Sequence, residues 1–273
     1  MKFEGLEDRM LYYRGLSDYR LIPNSYVLLM LDGRSFSSFV KNYFDKPFDD
    51  KFINMMNETA KYLCEKIQGC KFAYVQSDEI SLVITDFDTP NSDSFFGYRL
   101  EKILSISASM ASAKFNQLMT LEALRRAVDG LDKYGCINTE EVIANAKLFE
   151  FDCKAWNVPS YNDVFAWNLF RQNDCLKNSK QQAAQAWLPH KQLVNKTADE
   201  QIALLKEKQG IDWNNFDDGK KYGRFIYKET VTMNSEQYGT FERDKFVIHS
   251  AWVLNDENGK EKFEKLSKIP QKS

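Results

Sequence analysis

Three carboxylates stand out by position. Asp32 lies in Leu31-Asp32-Gly33-Arg34-Ser35-Phe36, and Asp78 and Glu79 lie in Gln76-Ser77-Asp78-Glu79-Ile80, about 46 residues further on. Carboxylates that meet at neighbouring strand ends suit two divalent cations held roughly 3.5 to 4 Å apart, the arrangement of two-metal phosphoryl transfer. Without a cation between them, such like charges repel. Taken singly, Asp-Gly is an ordinary turn dipeptide and Ser-Asp-Glu an ordinary solvated turn. Their shared position where strands end, with no polar partner in either strand, sets them apart.

The elements that must position these acids can be read from the flanking residues. Tyr26-Val27-Leu28-Leu29-Met30-Leu31 is an unbroken apolar run ending at Asp-Gly, a buried strand stopping at a turn. Phe72-Ala73-Tyr74-Val75 and Ile80-Ser81-Leu82-Val83-Ile84 are two more strand-like runs separated only by Gln76-Ser77-Asp78-Glu79, which predicts a hairpin. Phe52, Met55, Met56, Ala60, Leu63 and Ile67 recur at helical spacing before Gly69, and Leu100, Ile103, Leu104, Ser107, Met110, Ala111 and Leu118 mark a second helix of similar length. A charged, polar connection over about 120–147 leads to a strand-like segment from Leu148 to Trp156. The order β-α-β-β-α-β is that of a ferredoxin-like, split βαβ domain: an antiparallel sheet with two helices on one face and the other face open for a substrate.

The fold class expected is therefore α+β, followed by a mostly helical C-terminal part. Ser160-Tyr161-Asn162-Asp163 is a capping-box pattern opening a helix with Val164, Trp167 and Phe170 on one side. Further helices are expected over Gln181 to Trp187 and Asp199 to Gln209, with a closing strand pair around Phe246-Val247-Ile248 and Ala251-Trp252-Val253-Leu254 and a Lys-rich tail. A soft boundary near 157 divides a domain that carries the acids, 1–157, from a mostly helical region, 158–273.

Composition narrows the chemistry. With 273 residues, 43% hydrophobic and 28% charged, the chain can build genuine cores. Its apolar runs reach only about six residues, and no signal-peptide stretch opens the chain, which predicts a soluble cytoplasmic protein without membrane contact. The five cysteines form no CxxC and no zinc spacing, as expected of reduced thiols. The only histidines, His190 and His249, sit near no candidate nucleophile in sequence, which argues against Ser-His-Asp chemistry. A net charge of -2 argues against coating nucleic acid through global charge but leaves room for a local basic face.

Cations lie where triphosphate oxygens could be met: Arg34 beside the first acid, Lys46 in Phe44-Asp45-Lys46-Pro47, and Arg99 with Lys102 at the start of the second helix. The last two are three apart and share a helix face at an N-terminus that itself attracts anions. The plain alternative is solvated surface charge. Acids with phosphate-binding cations suggest metal-assisted nucleotidyl transfer, in which the protein need supply no nucleophile.

At this point the residues resemble the tRNA-His guanylyltransferases and their Thg1-like relatives, which add nucleotides in the 3′ to 5′ direction. The resemblance runs from about 20 to 230. It is carried by Leu31-Asp32-Gly33-Arg34-Ser35-Phe36, Phe44-Asp45-Lys46-Pro47-Phe48-Asp49, Tyr74-Val75-Gln76-Ser77-Asp78-Glu79, Phe151-Asp152, Arg171-Gln172-Asn173-Asp174-Cys175 and His190-Lys191-Gln192-Leu193. It implies a polymerase-palm-like catalytic domain with two Mg2+ ions at Asp32, the Gly33 carbonyl and Asp78, supported by Glu79. It also implies a nucleotide resting on Asp32, Gly33, Arg34, Ser35, Phe36 and Ser37 and on Ser77, with Lys46, Arg99 and Lys102 toward triphosphates. Relatives activate a 5′-monophosphorylated tRNA with ATP or GTP, then let the 3′-hydroxyl of an incoming NTP displace the activating group, and usually assemble as homo-tetramers.

The chain departs from the family pattern in three places. Where guanylyltransferases carry His-Ile-Asn-Asn-Leu-Tyr-Asn after Asp-Cys, it has Leu176-Lys177-Asn178-Ser179-Lys180-Gln181-Gln182, which resembles the Thg1-like branch that repairs truncated tRNA 5′ ends by templated addition. The arginine usual two residues before the first aspartate is Met30, and the one usual after Phe-Asp is Lys154. Neither change touches the implied metal ligands.

A basic RNA surface is expected from Lys177, Lys180, His190, Lys191 and Lys196, and from Lys220, Lys221, Arg224 and Lys228 with Tyr222 and Tyr227 interleaved; the alternative is ordinary solvated lysines. Competing functions are untemplated guanylate addition to tRNA-His, a nucleotide cyclase on the same palm geometry, and a non-catalytic RNA-binding or nucleotide-sensing protein. Intact acids argue against the last, and the absence of Gly-Gly-Asp-Glu-Phe argues against a diguanylate cyclase.

Overall fold

The computed structural model describes residues 3–129, 140, 143, 146–235 and 239–267. After a first helix, α1 (Leu6–Gly15), the chain runs β1 (Tyr26–Gly33), α2 (Phe36–Tyr43), α3 (Asp50–Lys66), β2 (Cys70–Gln76), β3 (Glu79–Ile84), α4 (Leu100–Asp129) and β4 (Phe151–Val158). It continues through α5 (Tyr161–Trp187), α6 (His190–Leu193), α7 (Ala198–Gln209), α8 (Asp218–Tyr222), β5 (Arg224–Ser235), β6 (Gly239–Ser250) and α9 (Glu257–Ser267). The six strands form one sheet in the order β4-β1-β3-β2-β5-β6, every pair antiparallel. The ferredoxin-like order is present in its first four strands.

Local chemistry explains the boundaries. Asp49 caps α3 by accepting the Lys51 and Phe52 N–H groups, and the chain leaves α3 for β2 through Gly69 at φ +77. A Cβ on Gly69 would lie 2.1 Å from the Thr85 carbonyl oxygen, so only glycine fits that approach. Ser160 caps α5 by accepting the Asp163 N–H, as its capping-box pattern predicts. The two helical stretches expected over 160–187 are one continuous helix of 27 residues. Likewise α4 runs 30 residues, well beyond the five turns expected, and part of the polar connection that follows lies outside the described residues.

The sheet is covered on both faces. Val27, Leu29, Leu31, Val75, Ile80 and Leu82 face α3 and α4 and pack on Met56, Leu63, Ile103 and Phe115. Tyr26, Leu28, Phe72, Tyr74 and Val83 face the other way and pack on Val164 and Cys175 of α5 and Phe263 of α9. The expected open face is thus closed. The reason is legible in β1: its apolar run does not alternate, as a strand with one wet face would.

The C-terminal part contributes to the same sheet. Phe72 pairs with Tyr227 and Val75 with Arg224, so β5 extends the sheet beyond β2. The closing strand pair is therefore 224–235 with 239–250, earlier than expected. Residues 251–254 are apolar because they are buried, not because they form a strand: Ala251 and Leu254 sit in the second core, held by their N–H groups on the Gly223 carbonyl and Gln172 Oε1. A small satellite core of Ala183, Ala184, Leu188, Leu193, Leu205 and Trp213 joins α5 to α7. No helix among the described residues is long and apolar enough to cross a membrane.

Candidate active site

The register of three strands brings the acids together. Asp32, next to last in β1, lies opposite Glu79 of β3 on one side and Asp152 of β4 on the other. Residues directly opposite on antiparallel strands share a face, so Asp152, Asp32 and Glu79 form a row across the sheet on the α5 side. Asp78 occupies the two-residue turn between β2 and β3, entered through Ser77 at φ +45. The Gly33 N–H donates to the Asp78 carbonyl at 3.1 Å, which ties the end of β1 to that turn.

Charge at this end is uncompensated. Burial, then the neighbouring Asp78, Glu79 and Asp152 carboxylates, push Asp32 up to about 6, and only Lys154 pulls it down. Burial also raises Asp78, opposed by hydrogen bonds from Ser77 and its own backbone. Glu79 is held differently. It is buried and accepts both Arg171 Nε, at 2.7 Å on Oε1, and Arg171 Nη2 on Oε2. Arg171 is anchored in turn by Asp174 at 2.8 Å. Glu79 thus faces α5 as half of a fork-fork ion pair, leaving Asp32, Asp78 and Asp152 without an ion pair among the described residues.

The donor chemistry fits divalent cations in a specific way. Among the described residues no three His, Cys, Asp or Glu side chains come close enough to hold a metal ion alone. Two carboxylates plus backbone oxygen are what remains, the hard-oxygen set suited to a magnesium ion that keeps its other positions for water and substrate phosphate. Gly33 is required at its position because a Cβ there would meet the Phe36 ring at 2.5 Å.

The other expected site residues divide. Phe36 is a core residue, its ring 4.8 to 5.1 Å from those of Phe149, Phe115 and Phe151, and it also reaches the wall of a cleft beside the turn. Ser35 enters α2 in the left-handed conformation at φ +57. Exposed Arg34 is ion-paired with Glu150 at 2.9 Å, and the side chain of Ser37 lies outside the described residues. Lys46, Ser77 and Asp78 line the cleft, whose volume is about 650 Å³ and whose far wall is α5, through Asn178 and Gln182. That size lies within the range of small-molecule sites.

Arg99 and Lys102 are not brought to the acids. Arg99 bridges to Arg20, and the Leu21 N–H bonds to Tyr98, which places the start of α4 beside the chain entering β1. Asp32 lies six residues past Tyr26 along that strand, about 20 Å away at roughly 3.3 Å per residue. Arg99 is instead paired with Asp18 at 3.1 Å and Glu101 at 2.8 Å.

Of the expected RNA-facing cations, Lys177, His190, Lys191, Lys196 and Lys228 are exposed. Lys180 pairs with Asp199, and Lys220 pairs with Asp50 at 2.7 Å. Lys221 and Arg224 are buried and belong to no surface. Lys221 lies over the rings of Trp213 and Tyr222 and donates to the Asn214 carbonyl. Two residues of this end, Asp152 and Arg171, stand in the family motifs of the sequence but without an expected role at the site. Asp152 becomes visible once β4 is paired with β1, whereas nothing local to Arg171 announces a partner 92 residues away.

Acids at adjacent strand ends beside a nucleotide-sized cleft suit phosphoryl chemistry, and the comparisons with known proteins give the class: the chain is a nucleotidyltransferase. The profile of the family described as tRNAHis guanylyltransferase matches residues 8–159, more than half of the chain, and the chain belongs to that family. An uncharacterized protein of Acanthamoeba polyphaga mimivirus is 27% identical over 97% of this chain and 91% of its own length. tRNA(His) guanylyltransferase 1 of Arabidopsis thaliana is 27% identical over 86% of this chain, which spans only 40% of that protein. Among solved structures, a bacterial tRNA(His) guanylyltransferase (Thg1)-like protein in complex with ATP is similar at a TM-score of 0.78 and 31% identity, over 96% of this chain and 99% of that one. The Saccharomyces cerevisiae tRNA(His) guanylyltransferase, at 20% identity and a TM-score of 0.60 over 85% of this chain and 94% of that one, shares the fold.

Proposed function

We propose that this nucleotidyltransferase adds nucleotides in the 3′ to 5′ direction to the 5′ end of tRNA, repairing truncated ends by templated addition after ATP or GTP activates the 5′-phosphate. The observation that carries this reading is the pairing of Asp32 and Asp78. Neither has an ion pair among the described residues, the β1–β3 register and the Gly33–Asp78 hydrogen bond hold the ends of their strands together, and Asp78 lines a nucleotide-sized cleft.

Asp32, the Gly33 carbonyl and Asp78 would hold two Mg2+ ions. The chemistry such ions supply when bound is neutralisation of the triphosphate and activation of an attacking hydroxyl. The chain's own residues hold and orient the reactants. The N-terminus of α2, whose first amides lack intrahelical acceptors, follows directly on Asp32-Gly33-Arg34-Ser35 and adds attraction for phosphate. Lys46 is exposed in the cleft wall with no ion pair among the described residues, a cation free to meet a triphosphate. Glu79, neutralised by Arg171, fixes β3 against α5 and so sets where Asp78 sits. Residues 1–157 then carry the reacting groups. Residues 158–273 complete the cleft and offer exposed Lys177, His190, Lys191, Lys196 and Lys228 to RNA, with the active unit a homo-tetramer in the cytoplasm.

Support for the Thg1-like branch comes from the sequence at 176–182 and from the likeness to bacterial Thg1-like proteins, one in complex with ATP and another, 29% identical at a TM-score of 0.73 over 97% of this chain and 99% of its own, in complex with GTP. The test supplies magnesium, ATP, GTP and a 5′-monophosphorylated tRNA lacking its first nucleotide, and measures growth at the 5′ end. Extension is expected, reduced more than about 100-fold by Asp78→Ala. No extension on any tRNA, or extension indifferent to that substitution, overturns the reading. Dependence on a correctly paired opposing base supports templated repair over untemplated guanylate addition to tRNA-His.

A further inference from the structure

The helix that opens the chain gives no side chain to either face of the sheet. None of the 10 residues of α1 is buried, and a helix of that length is marginal in water without something to pack on. Leu6, Met10 and Tyr13, four and three residues apart, form a stripe along one side and are 71%, 44% and 53% exposed. The chain leaving α1 is anchored: the Tyr19 carbonyl accepts the Leu100 N–H at 2.8 Å, and Arg20 Nη1 donates to the Gly97 carbonyl at 3.1 Å. Along that anchored segment Tyr19 and Ile22, 69% and 66% exposed, carry the large side chains on toward Phe96, itself 44% exposed. These six side chains expose on the order of 700 Å², more than the largest apolar patch usual on a monomer and close to the share one partner gives a stable interface.

Charge says what covers this surface. Glu7 and Arg14 stand two helical turns apart, on the same flank of the stripe, and neither forms an ion pair among the described residues. If two copies of α1 pack antiparallel through the stripe, a two-fold axis near Met10 sets Glu7 of each copy beside Arg14 of the other, twice over. The surface is thus complementary to itself, as an isologous contact requires.

We propose that α1 is a two-fold interface between two copies of this chain, its Leu6-Met10-Tyr13 stripe packed antiparallel on the same stripe of the second copy, with Glu7 and Arg14 paired across it. This supplies one interface of the proposed homo-tetramer, and it rests on that reading only in requiring that the chain associate with itself. The plain alternative is a frayed terminal helix whose acid near its start and cation near its end merely suit the helix dipole.

The test uses the full chain. Sedimentation velocity over a concentration series gives the association constant of wild type, Met10→Glu, Glu7→Arg, Arg14→Glu and the double reversal, alongside amide exchange of α1 at each concentration. Met10→Glu, at the centre of the contact, is expected to weaken association more than about 30-fold, and each single reversal about 10-fold. The double reversal, which restores both pairs, is expected to return to within about 3-fold of wild type. Protection of α1 amides should rise with protein concentration in wild type and not in Met10→Glu. The dipole reading gives the opposite order, because the double reversal then spoils both helix ends and is the worst of the set; that result overturns the proposal. So do α1 amides unprotected at every concentration. A monomeric wild type that binds vesicles of anionic phospholipid through α1 overturns it in favour of a membrane surface. An oligomeric wild type indifferent to Met10→Glu overturns this interface and leaves the homo-tetramer standing, whereas a wild type that is monomeric throughout removes both.

Discussion

The two ends of the central sheet treat charge in opposite ways. Where β1 begins, Arg99, Asp18, Arg20 and Glu101 form a closed set of ion pairs in which each cation has an acid within 3.1 Å. Where β1 ends, Asp32, Asp78 and Asp152 gather with Glu79, and of these four acids Glu79 alone is paired with an arginine among the described residues, the Arg171 it shares with Asp174. The first end is a solvated surface that satisfies itself. The second stores repulsion, as a site built for cations and phosphate does and a merely structural one has no reason to.

Several substitutions break or sharpen that contrast, and the largest effect is at Glu79. Its partner Arg171 is the device that prevents a further uncompensated acid at the crowded end. Arg171→Met leaves Glu79 buried without a counter-charge and is expected to cost about 3 to 5 kcal/mol in denaturant unfolding. Replacing both, as Arg171→Met with Glu79→Leu, should cost much less than the single change. Equal losses would mean that the pair acts through packing alone.

Gly33→Ala comes next. Its Cβ would press into the Phe36 ring at 2.5 Å. The ring is wedged among Phe115, Phe149 and Phe151, so the overpacking should cost about 1 to 3 kcal/mol, with loss of activity from displacement of Asp32. A variant with unchanged stability would show that the aromatic cluster yields.

The smallest effect belongs to the satisfied end. Arg99→Met removes partly exposed pairs and is expected to destabilise by no more than about 1 kcal/mol. The sign is the informative part, because neutralising Asp32 should do the reverse. Its folded pKa of about 6 lies above the ordinary 3.8, so it favours the folded state below about 3.8 and that contribution is lost as pH rises through about 6. In metal-free buffer the wild type should lose stability across that window, and Asp32→Asn should lose less.

How far the site could be read from sequence follows from which interactions are local. Asp32 and Asp78 were legible because each ends its own apolar run, and the hairpin that carries Asp78 needs only a two-residue turn. The α3 boundaries and the α5 cap were legible for the same reason. The pairing of Glu79 with Arg171 was not, since the two are 92 residues apart and their meeting depends on α5 covering the second face. That coverage was itself written in β1, five of whose six apolar residues serve two cores, but periodicity alone does not say what the second core contains. Arg224 was misplaced among surface cations because Lys220, Lys221 and Arg224 look alike as a basic run. Only the pairing of β5 with β2 separates the buried members from the one that faces solvent more.

The central claim is that the acid end trades stability for chemistry, and Asp32→Asn tests it most directly when 5′-end extension and melting temperature are measured on the same preparation. The account predicts extension reduced more than about 100-fold while the melting temperature in metal-free buffer at neutral pH stays level or rises. Retained extension, or a melting temperature that falls along with activity, would contradict it.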